Sequence, residues 1–358
     1  MLLCNKYSTV YTIAIYQVSN VMPMYIVLLI QHLSMGNLAS TYRDQGRWNE
    51  AEQLEVQVMS MRKKLLGEGH PDTLTAMGNL ALTHRDQGRW NEAEQLQVQV
   101  MNMIKKLLGE EHPDTLTAMG NLALTYRDQG RWNEAEQLQV QVMSMRKKSL
   151  GEKHPNTLTA MGNLALTYRD QGKWNEAEQL QVQVMNMIKK LLGEGHPDTL
   201  TAMGNLASTY SDQGRWNEAE QLEVQVMNMR KKLLSEEHPH TPTAMGNLAF
   251  TYINQGRQNE AEQLQVQVMN MTNKLLGEEH PDTLLSMGNL AFTYRDQGRW
   301  DEAEQLQVQV MNMIKKLLRE EHPDILTAMG NLGLTYRSQG RCEAEQLEVQ
   351  VMNIQTLF

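Results

Sequence analysis

Apolar residues along this chain recur at helical spacing, and the spacing itself repeats. Between Met119 and Ala160, residues Met119, Leu122, Ala123 and Tyr126 fall at i, i+3, i+4 and i+7, one face of a helix. Ala135, Leu138, Val142 and Met145 draw a second stripe, which Val140 and Met143 widen. So wide a stripe suits a helix wedged between two neighbours. Gln137, Gln141 and Lys148 fall on the opposite, solvated side. Asp114 is placed to cap the first helix, and Pro113 stops the segment before it. Gly130 ends that helix. After the corner at Arg131 and Trp132, Asn133 and Glu136 form an N-x-x-E pattern that predicts the capped start of the second helix. Gly151 breaks the chain before the next His-Pro pair. The stretch LQVQVM alternates with period 2, but it is short and runs on from a helix, so no strand is predicted.

This helix pair is copied along the chain. Gly36, Gly78, Gly120, Gly162, Gly204, Gly246, Gly288 and Gly330 are each 42 positions apart. A fixed period of that length signals stacked supersecondary units, each touching only its neighbours. The pattern predicts an all-α solenoid of antiparallel helix pairs, with about eight units over residues 33–358 and an irregular last one. Residues 1–32 do not match the repeat. They carry one charge, Lys6, and three readings are open: a signal peptide around Val10–Ile15, a membrane span, or a helix opening at Pro23. Gln17, Ser19, Asn20 and Pro23 interrupt the apolar run, so the helix reading, covering the solenoid's end, is preferred and a membrane is not expected.

Composition narrows the function classes. Hydrophobic residues make up 41% of the 358, enough for a packed core. The net charge of −9 is spread evenly rather than broken by a basic stripe, which argues against a nucleic-acid partner. The two cysteines, Cys4 and Cys342, lie at opposite ends and form no disulfide framework, so a reduced, cytoplasmic setting is expected.

The repeat resembles the tetratricopeptide repeat. Met119, Leu122, Ala123 and Tyr126 stand at the Trp, Leu, Gly and Tyr places of that pattern, and Ala135 is the fixed Ala of the second helix. Gln139 departs from it, standing where an aromatic is usual. The 42-residue length with NLA, GRW, EAE and LG-x-x-HP is similar to the kinesin-light-chain subtype, and to the arrays of fungal NB-ARC or NACHT signalling proteins. No heptad coiled coil and no G-x-x-x-x-G-K-[ST] loop accompanies them. The resemblance implies a right-handed superhelix acting as a non-catalytic scaffold for a peptide or partner protein. The alternative is a structural spacer or self-association module, as the C-terminal part of a larger signalling protein.

In that family the first helices line a concave groove, which places the positions of Asn121, Leu124, Arg127 and Asp128 on it. Asn79, Asn121, Asn163, Asn205, Asn247 and Asn289 would then offer amides to the backbone of an extended peptide. Arg85, Arg127, Arg169 and Arg295 would attract acidic residues of the partner. The position of Leu124 varies, becoming Phe250 and Phe292 further on, and would tune pockets. Against this, an asparagine copied by duplication can equally serve packing against the next helix.

Seven His-Pro pairs, from His70 to His322, sit one repeat apart, too far for two to share a metal. They are read as helix-start turns, and the repeated tryptophans as packing. No Ser/His/Asp or Cys/His set stands outside the copied unit, so neither catalysis nor a cofactor is expected. The sixth unit departs most, with Gln258 for Trp, Ile253-Asn254 for Arg-Asp, and His240 and Pro242 at its start. The residue before the lysine pair alternates (Arg62, Ile104, Arg146, Ile188, Arg230), which suggests duplication in pairs.

Overall fold

The computed structural model describes residues 34–234, 238, 240–317 and 323–355, and all of its regular structure is helical. The helix expected from Pro23 lies outside them. First helices of successive repeats are α1 (34–44), α3 (Pro71–Asp86), α5 (Pro113–Asp128), α7 (Pro155–Asp170), α9 (Pro197–Asp212), α11 (His240–Asn254), α13 (Pro281–Asp296) and α15 (Pro323–Ser338). Second helices are α2 (Trp48–Leu66), α4 (Trp90–Leu108), α6 (Trp132–Leu150), α8 (Trp174–Leu192), α10 (Trp216–Leu234), α12 (Gln258–Leu276), α14 (Trp300–Leu317) and α16 (Glu343–Gln355).

The chain divides into two compact units, Met1–Thr83 and His84–Phe358. Within the second, every helix packs on the next in sequence from α4 to α16. First helices also touch the first helix one repeat on, α5 on α7, α7 on α9, α9 on α11 and α13 on α15. The result is a solenoid of helix pairs.

Its core repeats as the apolar stripes require. Leu116, Met119 and Val142 of one repeat cluster with Ala160 of the next. Leu158, Met161 and Val184 form the following cluster, and Met143 packs against both. An unbranched thioether fills such an irregular junction well. Leu122, Leu164 and Leu248 are 1–2% exposed, and burying such a side chain contributes about 1.5–3 kcal/mol. Val140 is an exception to the predicted stripe. It is exposed.

The helix ends correct two expectations. The α5 cap is His112 rather than Asp114, because the His112 Nδ1 accepts the backbone N–H of Asp114 with Pro113 at the first helical position. His154, His196 and His280 do the same, so in these repeats the His-Pro pair is the cap of the first helix. The second helices start two residues earlier than the capping pattern implies, at Trp132 in α6, with no side-chain cap on Arg131. Glu136 is not part of a capping box, since its carboxylate reaches the next repeat. At the other end of α5, Arg131 N–H donates to Tyr126 O and Gly130 N–H to Arg127 O. That Schellman closure needs a left-handed residue, and Gly130 supplies it at φ 75°.

Candidate functional site

The asparagines occupy one register of successive first helices. In the second compact unit Asn121, Asn163, Asn205 and Asn247 are half-buried, and Asn289 and Asn331 are exposed. In the first, Asn79 is half-buried. None of these side chains makes a hydrogen bond among the described residues. Each therefore holds an amide with donors and an acceptor to offer.

The arginines are engaged with the array itself. Arg85 Nε lies 3.6 Å from Asp128, Arg127 Nε 3.5 Å from Asp170, and Arg169 Nε 3.4 Å from Asp212. These pairs link each first helix to the next. The series stops at the fifth repeat, where Ser211 replaces the arginine, and stays broken at Ile253 and Asn254. Arg295 turns its guanidinium over the Phe292 ring at 4.6 Å and pairs with its neighbour Asp296 at 3.5 Å. Asp212, at the end of the series, is pushed up by burial; Arg169 opposes this and Asp170 adds to it.

The variable position changes character along the chain. Leu124 and Leu166 are half-buried, whereas Phe250 is 55% and Phe292 42% exposed. Phe250 packs edge-on against Trp216 of the preceding repeat, with centroids 6.5 Å apart. The tryptophans are less buried than their packing role suggests, since Trp132, Trp174 and Trp300 are each more than 40% exposed.

A clasp at successive repeat boundaries of the second compact unit went unread in the sequence. Glu94 Oε2 accepts Gln129 Nε2 at 2.9 Å and Arg131 Nη1 at 2.8 Å. The same guanidinium donates to Glu134 at 2.6 Å and lies 4.1 Å over the Tyr126 ring. Lys173 with Glu136, Arg257 with Glu220, Arg299 with Glu262 and Arg341 with Glu304 repeat the arrangement. Burial pushes the Glu136 carboxyl up, but Lys173 and Gln171 outweigh it and hold it below the usual carboxylate range. The signal was present in the fixed spacing of Tyr126, Gln129 and Arg131, with a glutamate 37 residues before the arginine. A local capping pattern concealed it. The cleft beside one clasp, lined by Gly214, Arg215, Trp216, Asn217, Glu220, Gln255 and Arg257, has a volume of about 510 Å³.

Two further positions have defined roles. Arg62 Nη1 donates to Asp72 O at 2.9 Å, and Arg146 Nη1 to Asn156 O at 3.0 Å, each holding the start of the next first helix. Ile188 and Ile314 join apolar clusters at the same register. Thr272 instead meets Ser286 Oγ at 3.1 Å, where other repeats carry alanine, as at Ala160 and Ala244. The alternation therefore has a packing consequence. Gln97, Gln139, Gln181, Gln265 and Gln307, at the aromatic's place, are 3–5% exposed, and their amide oxygens lack hydrogen-bond partners.

Among the described residues no helix is long and apolar enough to cross a membrane, and no cluster of His, Cys, Asp or Glu could hold a metal ion.

Stacked helix pairs with a repeating cap, clasp and core define an α-solenoid. The chain belongs to the tetratricopeptide repeat family, whose model matches residues 30–106, 79–148, 114–190, 157–232, 240–316 and 282–354. It is similar to a putative kinesin light chain with nearly identical TPR-like repeats from Podosopora anserina, 34% identical over 57% of this chain and 97% of that one, with a TM-score of 0.48. The apo quorum sensor NprR from B. thuringiensis shares the fold at 14% identity, covering 91% of this chain and 86% of its own, with a TM-score of 0.60. So does a signal transduction ATPase with numerous domains and a tetratricopeptide repeat sensor from Pyrococcus horikoshii, at 11% identity, 89% of this chain, 45% of that one and a TM-score of 0.54. No curated protein matches the chain.

Proposed function

We propose that the chain is a non-catalytic interaction scaffold that holds an extended peptide or partner segment across the first helices, through the asparagine register. The observation that carries this reading is that Asn121, Asn163, Asn205 and Asn247 sit on successive helices of one unit without any hydrogen bond of their own. A packing asparagine would be paired with the adjacent helix. Arg127 and Arg169 are neutralised by Asp170 and Asp212, yet each guanidinium has five N–H donors and can take a further acceptor from an acidic partner. Phe250 and Phe292 offer apolar surface further along. The groove would thus grip backbone throughout and favour acidic side chains at one end and apolar ones at the other.

The test is a peptide library selected on the intact chain. Peptides so obtained should lose tenfold or more in affinity when Asn121, Asn163 and Asn205 are together changed to Ala, with helicity unchanged. Equal affinity for the triple variant overturns the reading.

A further inference from the structure

The buried glutamine register has two acidic members, and they are built differently. In the first compact unit Glu55 is 4% exposed and Arg43 Nη1 lies 3.6 Å from its carboxylate. In the second, Glu223 is equally buried at 4%, but Ser211 stands where Arg43 would be, four repeats on. Glu223 Oε2 has no hydrogen-bond partner, and neither has Ser211 Oγ, itself buried. A carboxylate in that setting lacks the opposite charge that makes burial tolerable, and one of its oxygens lacks a donor.

We propose that the packing of α9, α10 and α11 around Glu223 is a pH-sensitive joint, closed while the Glu223 carboxyl holds its proton and loosened when it ionises. The elements around it supply no cation. On α9, Ser211 has lost the arginine, and Asp212 is engaged by Arg169. On α11 the facing group is Thr251, a neutral hydroxyl that can donate to the carboxyl but brings no charge. On α10, Glu220 lies one turn away and is an acid, its carboxylate taken by Gln255 and Arg257. Arg230 is two turns further along α10 and does not act on Glu223. Burial pushes the Glu223 carboxyl up from 4.5 to about 7, with Glu220 adding to the rise and Thr251 offsetting part of it.

The direction follows from proton linkage. Between pH 4.5 and about 7 the folded joint keeps a proton that the opened chain has released. Its stability therefore falls as pH rises through that window and levels off above it. The clasp acid Glu136, held low, works in the opposite sense and weakens the array only in acid. A joint near neutrality therefore titrates apart from the rest.

Amide hydrogen exchange of the full chain, corrected for intrinsic rate, reads local opening in α10 and α11 between pH 5 and 8. The opening constant should rise roughly 70-fold over that range, since each unit of pKa displacement is a factor of ten. Glu223→Gln installs the residue that Gln139 and Gln181 already provide at this register, so it should fold and should flatten the profile. Ser211→Arg should flatten it as well, by recreating the Arg43–Glu55 pair. Wild type and Glu223→Gln diverging by tenfold or more supports the joint. Profiles that diverge by less overturn it.

Discussion

The third and fourth repeats and the sixth and seventh are built on the same core and present different faces. Leu164 in α7 and Leu248 in α11 are each 1% exposed. The clasp is preserved as well, since Lys173 meets Glu136 at 2.8 Å and Arg257 meets Glu220 at 2.8 Å. The first helices differ. In α5 and α7 each arginine reaches the next repeat's aspartate. In α11, Ile253 replaces the arginine, and Asn254 folds its amide back onto Phe250 O at 2.8 Å. Two substitutions thus remove a charge pairing that needs both partners, and the exposed Phe250 and Phe292 leave an apolar surface in its stead. The core and clasp that join repeats are insulated from the face they present.

That separation can be broken first at the core. Leu164→Ala and Leu248→Ala should each cost about 2–5 kcal/mol, transfer plus cavity. In denaturant titrations the two should agree within about 1.5 kcal/mol. Hydrogen exchange should show lost protection in the mutated repeat and its neighbours and not beyond, because coupling runs between adjacent repeats. If one leucine were far costlier, the two regions would not share a core. Protection lost along the whole array would mean that the repeats fold as one body.

The period and the apolar stripes were enough to read the helix pairs, because both are consequences of packing that duplication leaves intact. Gly130 and the His-Pro turns were legible for the same reason. What the sequence hid was partner choice. The pattern from Asn133 to Glu136 satisfies a local capping rule, yet Glu136 bonds 35 and 37 residues away, to Gln171 and Lys173. Arg127 read as a free cation because its partner Asp170 lies one repeat on. Val140 lies five residues after Ala135, about 140° around the helix, so the helical period itself puts it off the buried stripe. Local rules were reliable for the Gly130 helix end and misleading for the helix starts and for long side chains, whose reach spans a repeat boundary.

The clasp gives an intermediate effect. Arg257→Ala removes the bonds to Glu220 and Glu260 and the stacking 3.8 Å over the Tyr252 ring. The guanidinium side chain is 35% exposed, so solvent screening limits the loss to about 0.5–1 kcal/mol. Arg215→Ala, with Glu178 at 2.8 Å and stacking 4.1 Å over Tyr210, should match it in urea titrations. A null result at one site and a full one at the other would show that the clasps are not equivalent.

The smallest effect tests the face itself. Ile253→Arg puts a guanidinium back at the register where Arg127 meets Asp170, and Asp296 stands one repeat on to receive it. Asp296 already pairs with Arg295 at 3.5 Å, just as Asp170 pairs with Arg169 at 3.8 Å, so the receiving geometry is the same. The half-buried Ile253 side chain would be replaced by an arginine stem that covers similar apolar surface. The gain should be about 0.2–1 kcal/mol at low salt. It should vanish near 1 M salt, where the screening length is about 3 Å. Arg169→Ala should show the mirror image, a small loss at low salt that disappears at high salt. Burial already pushes the Asp212 carboxyl up, and losing Arg169 removes the charge that opposes this. If Ile253→Arg instead destabilised the chain at every salt concentration, the apolar face of the sixth repeat would be a packed surface in its own right rather than a charge ladder with a missing rung.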